Sequence, residues 1–255
     1  MRTPFSLLFL FVLVNFMAGQ INSAKVLHSY ASDLPKSQIY DIIQDHDGFV
    51  WIGTRDGLLR SDGLQLIQFN AEDGLGFNYC ADFVIDEKEQ LWIASRADYK
   101  GVSKLNLKTH QMTHFPFLSQ DSLDNLGKGI TAISIAKNQN LLFLSADYQL
   151  FEYDGTVFIN HTLQDLIEPE SRVVQIADFL ADPVDADACW IANHNGLIYY
   201  DRMRSRVTYP FTNNQTEIND IFYHAELGPY LWVGLSGSGG LLQLDLRDHK
   251  VHTLY

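Results

Sequence analysis

The side chains that could carry acid–base, metal or nucleophilic chemistry are nine His, 31 Asp and Glu, and two Cys. Catalysis needs such groups in fixed sets, and the spacing supplies none. No H-x-x-x-H pair stands among carboxylates, and G-x-S-x-G, a P-loop and C-x-x-C are absent. His46, His110, His114, His194, His224, His249 and His252 fall mostly at strand ends and turns, where a solvated imidazole is the ordinary outcome. Asp45-His46-Asp47-Gly48 has carboxylates for calcium but lacks the spacing of a calcium loop, and no acid follows at the bidentate place. It reads as a tight turn. Cys80 and Cys189 lie inside apolar runs and are expected to be buried, unpaired thiols. The sequence predicts no catalytic residue, no metal and no cofactor.

The elements that must position these groups repeat. Five segments align on one aromatic: Trp51 in FVWIGT, Trp92 in LWIAS, Phe143 in LLFLS, Trp190 in CWIAN and Trp232 in LWVGL, at steps of 41, 51, 47 and 42 residues. Six residues after the aromatic come Gly57, Gln149 and Gly196, and eleven after it come Asp62, Asp154 and Asp201. Insertions in the second and fifth copies put Gly101 and Gly240 nine and eight residues on. Each copy reads as four short strands separated by Asp- and Gly-rich turns. The first copy has them at 39–45, 49–54, 57–62 and 65–69, and the second at 81–86, 90–95, 101–107 and 112–117. The others follow at 130–136, 141–145, 149–154 and 156–160; at 173–180, 188–192, 196–201 and 206–211; and at 218–224, 230–235, 240–246 and 250–255. A short helix is expected only over 161–168.

Four antiparallel strands every 40 to 50 residues is the period of a propeller blade. One such sheet cannot cover its own two faces, so blades stack radially and bury the aromatic and aliphatic faces between neighbours. The expected fold class is an all-β propeller of four-stranded antiparallel blades, at about 39–69, 80–117, 130–160, 173–211 and 218–255. The tryptophans then belong to the inter-blade core rather than to sugar-stacking platforms. Ligand contacts should come from one rim, where the turn between second and third strands meets the link between blades. Those loops supply Arg55, Asp56, Arg96, Tyr99, Tyr148, Asn193 and His194, a candidate set for a small polar ligand such as an oligosaccharide or peptide.

Residues 1–24 are set apart from the fold. Arg2, the apolar run from Pro4 to Met17, and the small residues Ala18, Gly19, Ser23 and Ala24 have the layout of a secretory signal peptide. The run is shorter than the roughly 20 apolar residues that span a bilayer. The chain has 18 basic and 31 acidic residues, net charge −13, and loses only Arg2 with this segment. An acidic surface with no basic stripe repels phosphate backbones, so nucleic acid is not an expected partner.

The runs Leu34-Pro35-Lys36-Ser37-Gln38-Ile39, Asp47-Gly48-Phe49-Val50-Trp51-Ile52-Gly53-Thr54 and Asp56-Gly57-Leu58-Leu59-Arg60 resemble the repeat of two-component regulator propellers, and Glu72-Asp73-Gly74-Leu75 resembles the family's link between blades. Leu91-Trp92-Ile93-Ala94 and Leu231-Trp232-Val233-Gly234 match in part, and the third copy departs with Phe143. The resemblance implies a seven-bladed type of ring acting as a periplasmic sensor. It further implies additional blades, a membrane helix tethering the full-length protein to the inner membrane, a histidine kinase or diguanylate cyclase output, and a homodimeric receptor. None of that output chemistry lies in this chain, so no enzyme activity is expected of it. The rival expectation is a secreted propeller enzyme such as a lyase or glycosidase.

The strand count carries one more expectation. Residues 26–30 precede the first inner strand as 65–69 precede the second, yet they have no blade of their own, and 250–255 already fill the outer place of the fifth blade. Three partner strands are expected beyond residue 255, which makes the ring incomplete and this chain the N-terminal part of a longer protein.

Overall fold

The computed structural model describes residues 37–95, 101–116, 129–161, 163–167, 175–212, 217–236 and 240–254. The signal segment, the strand expected over 26–30, and Arg96 and Tyr99 lie outside the described residues.

Five four-stranded antiparallel sheets follow one another, each in chain order. The first blade is β1 (Ile39–Gln44), β2 (Val50–Thr54), β3 (Gly57–Ser61) and β4 (Leu66–Phe69). The second is β5 (Asp82–Ile85), β6 (Gln90–Ala94), β7 (Gly101–Asn106) and β8 (Met112–Pro116). The third is β9 (Ile130–Ile135), β10 (Leu141–Ser145), β11 (Leu150–Tyr153) and β12 (Phe158–His161), and one helical turn, α1 (Leu163–Leu166), follows it. The fourth is β13 (Ile176–Ala181), β14 (Ala188–Asn193), β15 (Gly196–Asp201) and β16 (Arg206–Thr212). The fifth is β17 (Ile218–Tyr223), β18 (Tyr230–Leu235), β19 (Gly240–Asp245) and β20 (Lys250–Leu254).

Aspartates set the turns. Between β1 and β2, Asp45 accepts the backbone N–H groups of Asp47 (3.1 Å) and Phe49 (2.9 Å) on one oxygen and the Trp51 indole N–H (2.7 Å) on the other. Asp86 does the same for Lys88, Gln90 and Trp92, and Asp182 for Val184, Asp185 and Trp190. One carboxylate thus closes the turn and fixes the rotamer of the core tryptophan. In the next turn Asp62 and Asp154 each accept two backbone N–H groups; those bonds hold the Asp62 carboxyl below the ordinary value, and the Thr156 hydroxyl, followed by the backbone bonds, does so for Asp154. Asp86→Ala is expected to destabilise by about 1–3 kcal/mol, because it orphans the Trp92 indole and two turn N–H groups. Urea denaturation checks this, and a change below about 0.5 kcal/mol would show that water replaces the clasp.

In the first four blades the face that carries the tryptophan place packs on the opposite face of the next blade. Trp51 meets Phe83, Leu91 and Ile93, and Trp190 meets Ile221, Leu231 and Val233. The third blade corrects the sequence alignment. In strand pairing Leu142 lies opposite Ser134, as Trp92 lies opposite Val84, so Leu142 holds the tryptophan place. Phe143 points to the other face and packs on Trp92, with ring centroids 6.0 Å apart. The error arose because the β10–β11 turn has one extra residue, which restored the six-residue offset to Gln149 by coincidence. That residue is Tyr148, which carries the left-handed turn at φ 63°.

Inner strands β1, β5, β9, β13 and β17 contact one another in succession, with no comparable contact from β17 back to β1 among the described residues. Among the described residues nothing covers the outward faces of the end blades. Ile42 of blade 1 is 57% exposed, Phe222 of blade 5 is 41% exposed, and Trp232 is only half-buried. Cys80 and Cys189 are free and buried in separate blades, and burial pushes both thiols up to about 12, which leaves them unreactive.

Candidate functional site

Ile39 pairs with Thr54, so the inner strands start beside the turns between second and third strands. The first residues of all five inner strands therefore surround a channel mouth on the rim side. They enclose a cavity of about 460 Å³, lined by Tyr40, Asp41, Asp82, Thr131, Asp178 and Asn219 among others. Among the described residues no Lys, Arg or His lines it.

The carboxyls of this lining also tie the blades together. Asp41 accepts the backbone N–H of Phe83 in the second blade (3.1 Å), Asp82 that of Ile133 in the third (2.7 Å), and Asp178 that of Ile221 in the fifth (2.8 Å). At the boundary between blades three and four the acceptor is Ser134 Oγ, which takes the N–H of Ala181 (2.8 Å). Burial, then the neighbouring Asp41 charge, pushes Asp82 well above the ordinary carboxylate range. Burial, then the hydrogen bond with Asp220, pushes Asp178 up to about 8.

The rim residues divide. Arg55 and Asp56 are exposed in the β2–β3 turn. His194 is partly exposed and faces Glu217 across the boundary between blades four and five, Nδ1 to Oε1 3.4 Å. Tyr148 and Asn193, expected on the rim, are core residues instead. Tyr148 is fully buried and accepts a hydrogen bond from Asn193 Nδ2 (3.1 Å), while Asn193 Oδ1 takes the Asn195 N–H. Their polar groups are spent on each other and on the β14–β15 turn, which removes them from any ligand surface. Away from the rim, Asp245, Asp248 and His252 bring ligand atoms within 4.8 Å, but Arg247 already occupies the Asp245 carboxylate.

The channel aspartates were missed by the sequence reading, although a signal existed. Asp41, Asp82, Asp178 and Asp220 each stand four residues before the turn residue Asp45, Asp86, Asp182 or His224, and the third copy has Ala132 and Ala136 there.

Residues 33–56 match the model of the two component regulator propeller family. No curated protein matches the sequence. Among solved structures, the fold is shared with the extracellular domain of a B. thetaiotaomicron protein described as a one component system, at TM-score 0.64 and 16% identity over 86% of this chain and 28% of that one. It is shared equally with the extracellular domain of a B. thetaiotaomicron protein described as a hybrid two component system, at TM-score 0.65 and 16% identity over 86% of this chain and 30% of that one. The GH74 enzyme of Niastella koreensis gives TM-score 0.65 and 14% identity over 85% of this chain and 37% of its own. The chain spans less than a third of the length of the two extracellular domains. No helix among the described residues is long and apolar enough to cross a membrane. The chain thus carries a two component regulator propeller repeat at residues 33–56, set within five blades of the propeller fold.

Proposed function

We propose that this chain is an exported sensing propeller with no catalysis of its own, serving a membrane-tethered signalling receptor, and that its channel mouth takes a small polar ligand. The match of residues 33–56 to the two component regulator propeller family carries this reading. A cavity of about 460 Å³ falls within the range of small-molecule sites. Its carboxyl lining repels anions and offers acceptors to hydroxyl or ammonium groups, which favours a neutral oligosaccharide or a basic peptide end. The periplasmic side, the inner-membrane tether and a receptor homodimer belong to the same proposal.

The enzyme alternative draws on the propeller shared with the Niastella koreensis GH74 enzyme. Glycoside hydrolysis needs two carboxyls on either side of the scissile bond, about 5 Å or more apart. Here Asp41, Asp82 and Asp178 are each engaged as the acceptor of a backbone N–H of the following blade, which favours a structural role for these carboxyls.

Calorimetric titration against neutral oligosaccharide pools and basic peptide pools is the test. Asn219→Ala and Arg55→Ala are expected to weaken binding roughly tenfold, about 1.4 kcal/mol, with an unchanged melting temperature. Equal affinity in wild type and both variants would place the site elsewhere, and product formation during titration would favour the enzyme.

A further inference from the structure

Strand pairing sets Arg60, Lys104, Glu152 and Tyr199 opposite the tryptophan place of the first four blades. At three boundaries the turn between third and fourth strands of the next blade sends a side chain onto that residue. Arg60 donates to His110 Nε2 (2.9 Å), Glu152 pairs with Arg202 (3.1 Å), and Tyr199 meets the His249 ring with centroids 4.3 Å apart. The boundary between blades two and three differs. There the β11–β12 turn is short: two residues separate Asp154 from its partner Val157, where four separate Asp245 from Lys250. Gly155 takes the left-handed place of that turn, at φ +98°, and nothing lies within 4 Å of its would-be Cβ.

What remains at this boundary is a cavity of about 340 Å³, with Lys104 and Gly155 both in its lining. The Lys104 ammonium sits over the rings of Trp92 and Phe115, 5.3 and 5.2 Å from their centroids. Gln90, Asn138 and Gln139 add side-chain amides, which both donate and accept hydrogen bonds. Asp86 and Asp154 also line the cavity, but their oxygens close turns. Asp86 takes the N–H groups of Lys88, Gln90 and the Trp92 indole, and Asp154 those of Thr156 and Val157. Glu87 and Lys88, consecutive and exposed, offset each other in charge.

We propose that this inter-blade cavity binds a small hydroxylated carboxylate such as a sugar acid. Its carboxylate takes from Lys104 the hydrogen bond that His110 takes from Arg60 one boundary earlier. A bond between two ionised groups is stronger than a neutral one, and the aromatic rings beside the ammonium keep water from competing for it. The amides of Gln90, Asn138 and Gln139 then serve the hydroxyl groups. The cavity has the size of a small-molecule site. It is built from the β5–β6, β9–β10 and β11–β12 turns, at the opposite ends of the strands from the channel mouth, so it stands apart from the channel and does not rest on the reading given to it.

Nitrogen-15 NMR titration of the whole chain with glucuronate, and with glucose as its neutral counterpart, tests this. Glucuronate is expected to shift the amide signals of residues 138–141 and 154–156 and the Trp92 indole signal, and glucose to leave them in place. Lys104→Met keeps the apolar stem over both rings and should weaken glucuronate binding roughly tenfold or more, the worth of a charge-assisted hydrogen bond. Lys104→Arg should retain it. Gly155→His supplies the ring found at the neighbouring boundary and should abolish binding. Signal dispersion shows whether each variant is folded, and Lys104→Met decides the matter if Gly155→His unfolds. Absence of shifts at these residues with glucuronate, equal shifts with glucose, or an affinity of Lys104→Met within about twofold of wild type would overturn the proposal.

Discussion

Replacing Trp190 with alanine is expected to lower stability by about 3–5 kcal/mol, the usual cost of emptying a large, fully enclosed aromatic site. Its side chain is wholly buried between the fourth and fifth blades, among Leu197, Ile221, Leu231, Val233 and Leu242. Tyr199 and His249 close over its ring, with centroids 4.7 and 5.0 Å away. The substitution also orphans the Asp182 oxygen that takes the indole N–H at 2.7 Å. Trp232 is an internal control, because it holds the same place in the fifth blade but is only half-buried. Trp232→Ala should cost less than half as much. Urea denaturation of both variants reads the contrast, and equal losses would show that inter-blade cover is not what makes the tryptophans stabilising.

The second large effect is expected at Gly196, the first residue of β15. Its φ is +150°, and an added Cβ would lie 2.2 Å from the carbonyl oxygen of Phe211. That oxygen is backbone of the neighbouring strand and cannot swing away. Gly57 and Gly101 face the carbonyls of Phe69 and Phe115 at 2.5 Å in the same way. Gly196→Ala should destabilise by about 3 kcal/mol or more, since backbone strain and overpacking add. Gly155 also has a positive φ, +98°, but nothing lies within 4 Å of its would-be Cβ. Gly155→Ala should cost only about 1–2 kcal/mol from backbone conformation. A thermal melt in which the two variants fall together would mean that the β16 carbonyl is not the obstacle.

Both predictions rest on positions that the sequence displayed. Repetition at a fixed offset reveals whatever each blade needs separately: an aromatic on the second strand, glycine where the third strand passes under a carbonyl, and aspartate where backbone N–H groups must be capped. Those needs are local, within about a dozen residues, so the sequence carried the strands to within a few residues and the blade as a unit. It also carried the unpaired state of Cys80 and Cys189, because their flanking residues are apolar.

Tertiary structure decided what depends on which face a residue occupies and which blade lies opposite. A single inserted residue turns a side chain to the other face of a strand, so Phe143 looked like a tryptophan substitute while Leu142 was one. Tyr148 and Asn193 lie 45 residues apart and become core only because blades three and four meet there. The channel aspartates join blades for the same reason: Asp41 reaches the N–H of Phe83, Asp82 that of Ile133, and Asp178 that of Ile221, across boundaries that no local pattern encodes. Their spacing was in the sequence, but the raised carboxyls of Asp82 and Asp178 are a consequence of burial, which only the assembled blades impose.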